Sequence, residues 1–421
     1  MTARPVPNRP VNVFVAERGN DFMADIAAWL VEAAELAGHQ SQLVRDGSLP
    51  TDAAAINLVV APHEFYVLSD ADDAAIDAAA RCSIPVCTEQ PGTSWFDMTV
   101  LLSRASPMVL DINTHGVAAL QAEGIEAQHL RLGGVPSMDR RSAGTDQPAS
   151  RPTDVLFLGG LTDYRAATLA TLAPKLWERR ADLRLFDFSR PVDGAIESLV
   201  FGAAKYDLLA SSKILVNIHR DAGNAGIAGG AANHYFEWAR LIEAMANGCV
   251  VVTEPATGFA PLESGKHFIE TTDIAAMITD LLDDADRCAE ISTAASVAVL
   301  EEHPLVDSLA PILESIPAVN PKQNLAQNPA QNPEQSGRLR RSVTGRAVPS
   351  YRSKLRRAQQ IPLLPAFRPT TALRRRVYSA LHDEMSLQRS IDAARCAYRH
   401  GDAEHVEVIT SAAYRDATPD A

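Results

Sequence analysis

The sequence predicts an α/β protein built from two similar halves, and three observations lead to this prediction. At 421 residues the chain is longer than a single hydrophobic core usually fills. Short apolar runs alternate with amphipathic segments of helical spacing, a pattern typical of parallel sheets covered on both faces. The alternation is interrupted by a polar linker and starts again at Asp154. Because such folds bind ligands at the carboxyl ends of their strands, we expect a binding cleft between the halves.

The first half is predicted to span residues 1–136, and a polar linker follows at 137–152. Apolar runs predict strands, and apolar residues at helical spacing predict helices. The expected strands are 11–16, 41–44, 56–60, 84–87 and 108–110, and the expected helices are 22–37, 71–80 and 114–122.

The second half is predicted to span residues 153–318. One segment, 235–253, stands out because it predicts a helix that breaks at Gly248 and leads directly into a buried strand. The other expected strands are 154–160, 183–188 and 214–218, and the other expected helices are 164–178, 274–282 and 285–300.

Composition and charge restrict the classes of function. The net charge of −13 disfavours wholesale binding to nucleic acid. The five cysteines are scattered without metal-ligand spacing, which favours reduced thiols in the cytoplasm. The N-terminus lacks the apolar core of a secretion signal, and no run is long enough to cross a bilayer. We therefore expect a cytoplasmic protein, with peripheral contact to a membrane left open.

The C-terminal part changes in character. Residues 319–372 are predicted to form a disordered basic linker, and 373–421 a short helical tail. The segment 337–376 carries twelve Lys or Arg and no acid, so the rest of the chain has a net charge of −13 − 12 = −25. This segment is interpreted as a connector or as a contact with an anionic membrane. Nucleic acid is the weakest alternative, because no aromatic residues are interleaved with the charges.

The helix of the 235–253 segment carries the strongest functional signal. Its apolar stripe is Trp238, Leu241, Ile242 and Met245, and its other side holds Glu237, Arg240 and Glu243. A glycine-rich loop at 221–233 precedes it and ends in Asn233, a candidate N-cap. A loop, a helix start and an arginine together suit a phosphorylated ligand. The plain alternative for Arg240 is an ion pair with Glu237 or Glu243 at helical spacing.

Two motifs carry a resemblance to known proteins. The run 243–253 resembles the donor-side signature of GT-B glycosyltransferases. More narrowly, 217–220 together with Asn233 and 240–243 resembles the CgeB-type branch of glycosyltransferase-like proteins, and the match extends over about 154–300. The resemblance implies two Rossmann-type domains facing a cleft, a nucleotide-sugar donor on the second domain and a sugar, glycan or lipid-linked acceptor on the first.

The resemblance also suggests which residues act. Arg240 and Glu243 are expected to serve catalysis and to bind the donor, with Arg240 on the diphosphate and Glu243 on hydroxyl groups. No redox cofactor and no obligatory metal are expected, because no Asp-x-Asp motif is suitably placed. The other expected donor-binding residues are Gly159, Gly160, Asn217, His219, Arg220, Asn233 and Glu237. For His219 and Asn217, a purely structural role is the alternative.

One departure from the family pattern leaves the reaction open. Many retaining GT-B enzymes have a glutamate eight positions before the one that matches Glu243, and this chain has Tyr235 there. Retention or inversion of stereochemistry is therefore undecided. A sugar-nucleotide epimerase of the same fold and a catalytically silent relative remain alternatives. The end of the chain, 405–419, resembles the connector that precedes a second transferase domain in longer bacterial proteins.

The first half offers candidates for a general base. His63 and Glu64 directly follow a predicted strand, so one of them is a candidate for activating an acceptor hydroxyl. A loop-stabilising role is the alternative. The segments 89–93 and 17–20 follow other strands and are weaker candidates of the same kind.

Overall fold

The computed structural model describes residues 9–17, 19–69, 71–141, 148–160, 162–186, 200–220, 234–316 and the strand 406–409. The chain divides into two compact units. The first takes the described residues within Met1–Leu130 and Leu309–Val377, and the second those within Arg131–Ser308 and Tyr378–Ala421. The predicted glycine-rich loop with Asn233, the basic segment 337–376 and most of the predicted helical tail lie outside the described residues.

The first unit is built on a parallel sheet. Its strands are β1 Val11–Phe14, β2 Ser41–Val44, β3 Ile56–Val60, β4 Ile84–Cys87, β5 Val109–Asp111 and β6 Ala127–His129. They lie side by side in the order β2-β1-β3-β4-β5-β6, and every pair is parallel. The helices between them are α1 Asp21–Leu36, α2 Pro62–Leu68, α3 Asp73–Arg81, α4 Ser94–Ser103 and α5 Thr114–Ala122.

Local sequence explains these elements. All five residues of β3 are buried, as expected for a central strand covered on both faces. Helix α1 begins where the side chain of Asn20 accepts a hydrogen bond from the N–H of Phe22, and Asn113 caps α5 in the same way on His115. Helices α2 and α4 were not predicted; they follow β3 and β4, respectively.

The second unit repeats the design. Its strands are β7 Thr153–Gly160, β8 Ala181–Phe186, β9 Ser212–Asn217, β10 Val250–Thr253, β11 Ile269–Glu270 and β12 Val406–Ile409. The sheet order is β11-β10-β9-β7-β8-β12, again with parallel pairs. The helices are α6 Asp163–Leu176, α7 Gly202–Ala210, α8 Trp238–Ala246, α9 Ile274–Asp283, α10 Ala285–Val297 and α11 Leu305–Ser315, the last crossing the boundary between the units.

The core of the second unit lies between its sheet and helices α6, α9 and α10. Members of this core that are 3% exposed or less include Val155, Phe157, Leu169, Ile214, Val216, Val250 and Ile278. Two parallel sheets with covering helices confirm the predicted class of two Rossmann-type α/β domains. Of the described helices, none is long and apolar enough to cross a membrane.

Helix α8 differs from its prediction in one respect. It begins at Trp238 and not at Tyr235, because the preceding residues are extended. Tyr235 forms a bridge with Thr257, and the N–H of Phe236 donates to the carbonyl of Thr257 at 2.9 Å. The predicted apolar stripe of the helix is buried. The helix ends at Ala246, and the chain turns two residues later at Gly248, whose φ of 71° suits a residue without a side chain.

Candidate functional site

The carboxyl ends of β7 and β9 and the start of α8 bring polar side chains together in the second unit. Asn217 ends β9 and is fully buried. Its amide nitrogen donates to Oγ1 of Thr253 at 3.0 Å, and its oxygen accepts from Nη1 of Arg240 at 3.2 Å. Arg240 also pairs with Glu237, with 3.0 Å between Nη2 and Oε2. The structure thus groups three of the predicted donor-binding residues, and it contains the ion pair that was their structural alternative.

Arg165 completes this group, although the sequence did not single it out. It lies in the first turn of α6, is 3% exposed, and its Nη2 approaches Oε1 of Glu237 at 3.3 Å. One carboxylate is therefore shared by two guanidinium groups. The sequence signal for Arg165 was a cationic residue in the first turn of a helix that directly follows a strand ending in two glycines.

The charged groups of this cluster shift one another's pKa values. Burial alone would raise the pKa of Glu237, but Arg240 and Arg165 outweigh it and hold that pKa below its ordinary value. Burial, followed by the charge of Arg240, lowers the pKa of Arg165 to about 9. At neutral pH the group therefore holds two positive charges and one negative charge, which suits an anionic ligand.

The predicted glycines lie beneath the two arginines. A side chain carbon added to Gly159 would be 3.1 Å from Nη1 of Arg165 and 3.5 Å from Nη1 of Arg240. The carbonyl of Gly160 accepts from Nη1 of Arg165 at 3.1 Å. Both glycines belong to β7 and not to a turn after it. Gly159 thus leaves room for the guanidinium groups. The close approach of a donor to Gly159 stays a prediction.

His219 and Arg220 follow β9 at the same end of the sheet. The ring of His219 stacks on His234, with centroids 3.9 Å apart, and its Nε2 lies 2.9 Å from the carbonyl oxygen of Pro255. The backbone N–H of His219 donates to Glu254 at 2.7 Å. The carbonyl of Arg220 accepts from Oγ1 of Thr162, the N-cap of α6. Both predicted residues are therefore close to the strand ends, and His219 is held by backbone and ring contacts.

Glu243 lies elsewhere. It was expected on the polar side of α8, but the structure buries it to 1% exposure, and its Oε1 lies 2.6 Å from Nζ of Lys205. Lys205 belongs to α7 and is 5% exposed. Glu243 can be buried here because Lys205 supplies a partner charge. Its expected binding of sugar hydroxyls stays a prediction.

The strand ends of the first unit hold a second polar group. His63 follows β3 and is 2% exposed, and its Nε2 lies 3.5 Å from Oε1 of Glu89, which follows β4. Burial lowers the pKa of His63, and Glu89 partly opposes this. A neutral imidazole beside a carboxylate can accept a proton and so act as a general base. The sequence offered these residues as separate candidates after two strands, and it did not predict their pairing.

Glu64 adjoins the loop after β1. Its Oε2 accepts from the backbone N–H of Asn20 at 3.0 Å, and a side chain carbon at Gly19 would be 2.7 Å from that oxygen. Burial raises the pKa of Glu64 to about 7. The segment 17–20 and Glu64, separate candidates in the sequence, are thus neighbours, because β1 and β3 are adjacent in the sheet. Glu64 also fixes this loop, which was the structural alternative for it.

Across the described parts of the chain, no three His, Cys, Asp or Glu side chains are grouped so that they could hold a metal ion.

Comparisons with known proteins agree with the donor-side interpretation. A family model described as glycosyl transferase-like matches residues 177–314. The matched part contains α7, β9, α8 and β10. Among curated proteins, none matches the sequence significantly.

Solved structures similar to the chain have low sequence identity. HepE from Anabaena in complex with UDP is 13% identical, with a TM-score of 0.47 over 73% of this chain and 100% of that one. Sucrose-phosphate synthase from Thermosynechococcus elongatus is 10% identical, with a TM-score of 0.45 over 73% and 98%. WaaG, a glycosyltransferase involved in lipopolysaccharide biosynthesis, is 11% identical, with a TM-score of 0.44 over 73% and 100%.

Proposed function

We propose that this protein is a glycosyltransferase that moves a sugar from a nucleotide-sugar donor to a hydroxyl group of an acceptor. The observation that carries the proposal is the position of Arg240, which contacts Asn217 and Glu237 at the strand ends of the glycosyltransferase-like domain. A guanidinium there can bind a diphosphate through two parallel hydrogen bonds. The motif at 217–243 supports a CgeB-type relative, as the sequence suggested.

In the proposed reaction, the bond between the sugar and the donor diphosphate breaks, and a bond to the acceptor oxygen forms. Arg240 stabilises the negative charge that develops on the leaving nucleoside diphosphate. On the acceptor side, His63 takes the proton of the acceptor hydroxyl, with Glu89 beside it. Glu64 is the second candidate for that task. The proposal includes no redox cofactor and no obligatory metal, because cationic side chains serve the leaving group.

The proposed acceptor is a sugar, a glycan or a lipid-linked glycan of a bacterial cell envelope. The proposed place of action is the cytoplasm, including the inner face of the membrane. A sugar-nucleotide epimerase and a silent binding protein are distinguished from a transferase by their products. Donor supplied alone would be epimerised by the former, whereas the latter would bind the donor without any turnover, not even slow hydrolysis.

Arg240→Ala tests the proposal. Wild-type protein is first screened by thermal shift against UDP-, GDP-, ADP- and TDP-sugars, because a ligand of the native state raises apparent stability. Calorimetry with the sugar that binds is expected to show an affinity about tenfold to a hundredfold lower for Arg240→Ala, the loss of a charged hydrogen-bond partner.

The matched control is Arg179→Ala. Arg179 pairs with Asp283 at 3.6 Å on another part of the same unit, so donor affinity is expected to stay at the wild-type value. Equal affinity of Arg240→Ala and wild type would refute the donor site.

A further inference from the structure

The guanidinium of Arg165 connects three separate segments of the second unit. Nε donates to the carbonyl of Ile218 at 2.9 Å, just after β9, and Nη1 donates to the carbonyl of Gly160 at 3.1 Å, at the end of β7. Nη2 approaches Oε1 of Glu237 at 3.3 Å, directly before α8. A planar group with five donors can satisfy three acceptors at once, and an ammonium group of lysine cannot match that geometry.

Glu237 is divided between two cations by this arrangement. Its Oε1 faces Arg165 and its Oε2 faces Arg240, and its side chain is 18% exposed. An unshared carboxylate beside Arg240 could turn both oxygens toward it and form a bidentate pair. Arg165 holds Oε1 of Glu237 and so prevents Glu237 from forming a bidentate pair with Arg240. Arg240, with 20% of its side chain exposed, keeps hydrogen-bonding capacity toward a ligand.

The net charge of Arg165, Glu237 and Arg240 also indicates that Arg165 keeps Arg240 available to an anionic ligand. With Arg165 present, the three groups carry a net charge of +1, which is complementary to a diphosphate. Without it, Arg240 and Glu237 would form a neutral pair. Buried Arg165 is itself poorly placed to touch a ligand, since its donors point to the two carbonyls and to Glu237.

We propose that Arg165 is a positioning residue for diphosphate binding: by holding Glu237, it keeps Arg240 open to the phosphates of the ligand. This inference rests on the proposed donor site. It assigns a role to a residue that lies outside the part matched by the family model, 177–314. It also explains why a glycine, Gly159, lies beneath both guanidinium groups, since a side chain there would crowd them.

The test uses the full-length chain, the nucleotide sugar that wild type binds, and inorganic pyrophosphate as a competitor that lacks the nucleoside and the sugar. Arg165→Gln is expected to weaken the binding of pyrophosphate at least about tenfold, because Glu237 would then close on Arg240 and remove the charged contact between Arg240 and the phosphates. Glu237→Gln alone is not expected to lower that affinity. The double variant Arg165→Gln/Glu237→Gln is expected to regain it, because no carboxylate is left to close on Arg240.

Rescue separates positioning from a role in stability alone. If Arg165 only stabilised the unit, the double variant would bind no better than Arg165→Gln, and that result would overturn the inference. Arg179→Gln serves as the control and is expected to bind as wild type does. Should Arg165→Gln not fold, Arg165→Met, an apolar side chain of similar length, replaces it in the same cycle.

The outcomes also separate the two proposals. A wild-type protein that binds neither nucleotide sugar nor pyrophosphate overturns the proposed function and, with it, the inference. A wild type that binds both, with Arg165→Gln unchanged, overturns the inference alone.

Discussion

Asp111 ends β5 with a carboxyl group that is fully buried. Its Oδ1 accepts from the N–H of Asn113 at 2.7 Å, and Gly116 lies so close that an added side chain carbon would collide with the carboxylate. Burial raises its pKa from 3.8 to about 7. The folded protein therefore holds this proton over a pH range in which the unfolded chain releases it.

A pH dependence of stability follows from the raised pKa of Asp111. Stability contributed by the protonated group is full below pH 3.8 and is lost as pH rises to about 7. Relative to wild type, Asp111→Asn is expected to gain stability over this range, by up to roughly 1.4 kcal/mol per pH unit. Urea unfolding from pH 4 to pH 8, followed by circular dichroism, measures the difference.

Glu35→Gln is the control for this experiment. Glu35 is an exposed carboxylate on α1. Its variant is expected to follow the wild-type pH dependence. A stability difference between Asp111→Asn and wild type that stayed constant across the range would contradict the buried, protonated carboxyl group.

The sequence predicted part of the site at this scale. Asn217, Glu237 and Arg240 were expected together and do meet, because each lies near a strand end or a helix start that the pattern located to within three residues. Arg165 was missed, since its three partners come from segments far apart in the chain. No local pattern reports which distant carbonyls a side chain will reach. The pairing of Glu243 with Lys205 was not predicted for the same reason, since the two residues lie in different helices of the chain.

At the scale of elements, α7 and α8 are joined by a buried ion pair. Lys205 and Glu243 have side-chain exposures of 6% and 1%, with 2.6 Å between Nζ and Oε1. Phe201 and Tyr206 place their rings 5.9 Å and 5.8 Å from the ammonium. Removing one partner of such a pair leaves the other charge buried without compensation. Replacing both partners by apolar residues leaves no buried charge to compensate.

Lys205→Met is therefore expected to cost about 3–5 kcal/mol of stability. The double variant Lys205→Met/Glu243→Met is expected to recover most of it. Thermal and urea unfolding of the single and double variants give the coupling energy between the two positions. Losses that simply added would contradict the pairing. Donor affinity of Glu243→Gln, measured below its unfolding temperature, tests separately whether Glu243 also binds sugar hydroxyls.

Element boundaries show what periodicity can and cannot predict. The predicted strands and helices have counterparts in both units, because buried strands and amphipathic helices leave clear patterns, whereas helices α2, α4 and α7 were not predicted. The start of α8 was predicted three residues too early. Tyr235 and Phe236 are apolar enough to continue a helix, but their backbone pairs with Thr257. Such tertiary pairing overrides local propensity and is invisible in the sequence.

At the scale of the whole molecule, charge is distributed unevenly along the chain. The segment 337–376 holds twelve Lys or Arg and no acid in a protein with a net charge of −13. A polybasic segment is attracted to anionic lipid by about 1 kcal/mol for each basic residue near the surface. The proposed lipid-linked acceptor would lie at such a surface. The full chain is therefore expected to bind vesicles that contain phosphatidylserine.

Replacing Arg374, Arg375 and Arg376 by Gln is expected to weaken vesicle binding about a hundredfold, since three contacts of about 1 kcal/mol are lost. Co-sedimentation with phosphatidylserine vesicles at low salt measures the change. A control with the same loss of charge replaces Arg104, Arg179 and Arg180, which pair with acids in the two folded units. That control should bind as wild type does, because its arginines are already neutralised by partners. Equal weakening of both triple variants would show that net charge governs binding, and binding to neutral phosphatidylcholine vesicles would exclude an electrostatic contact altogether.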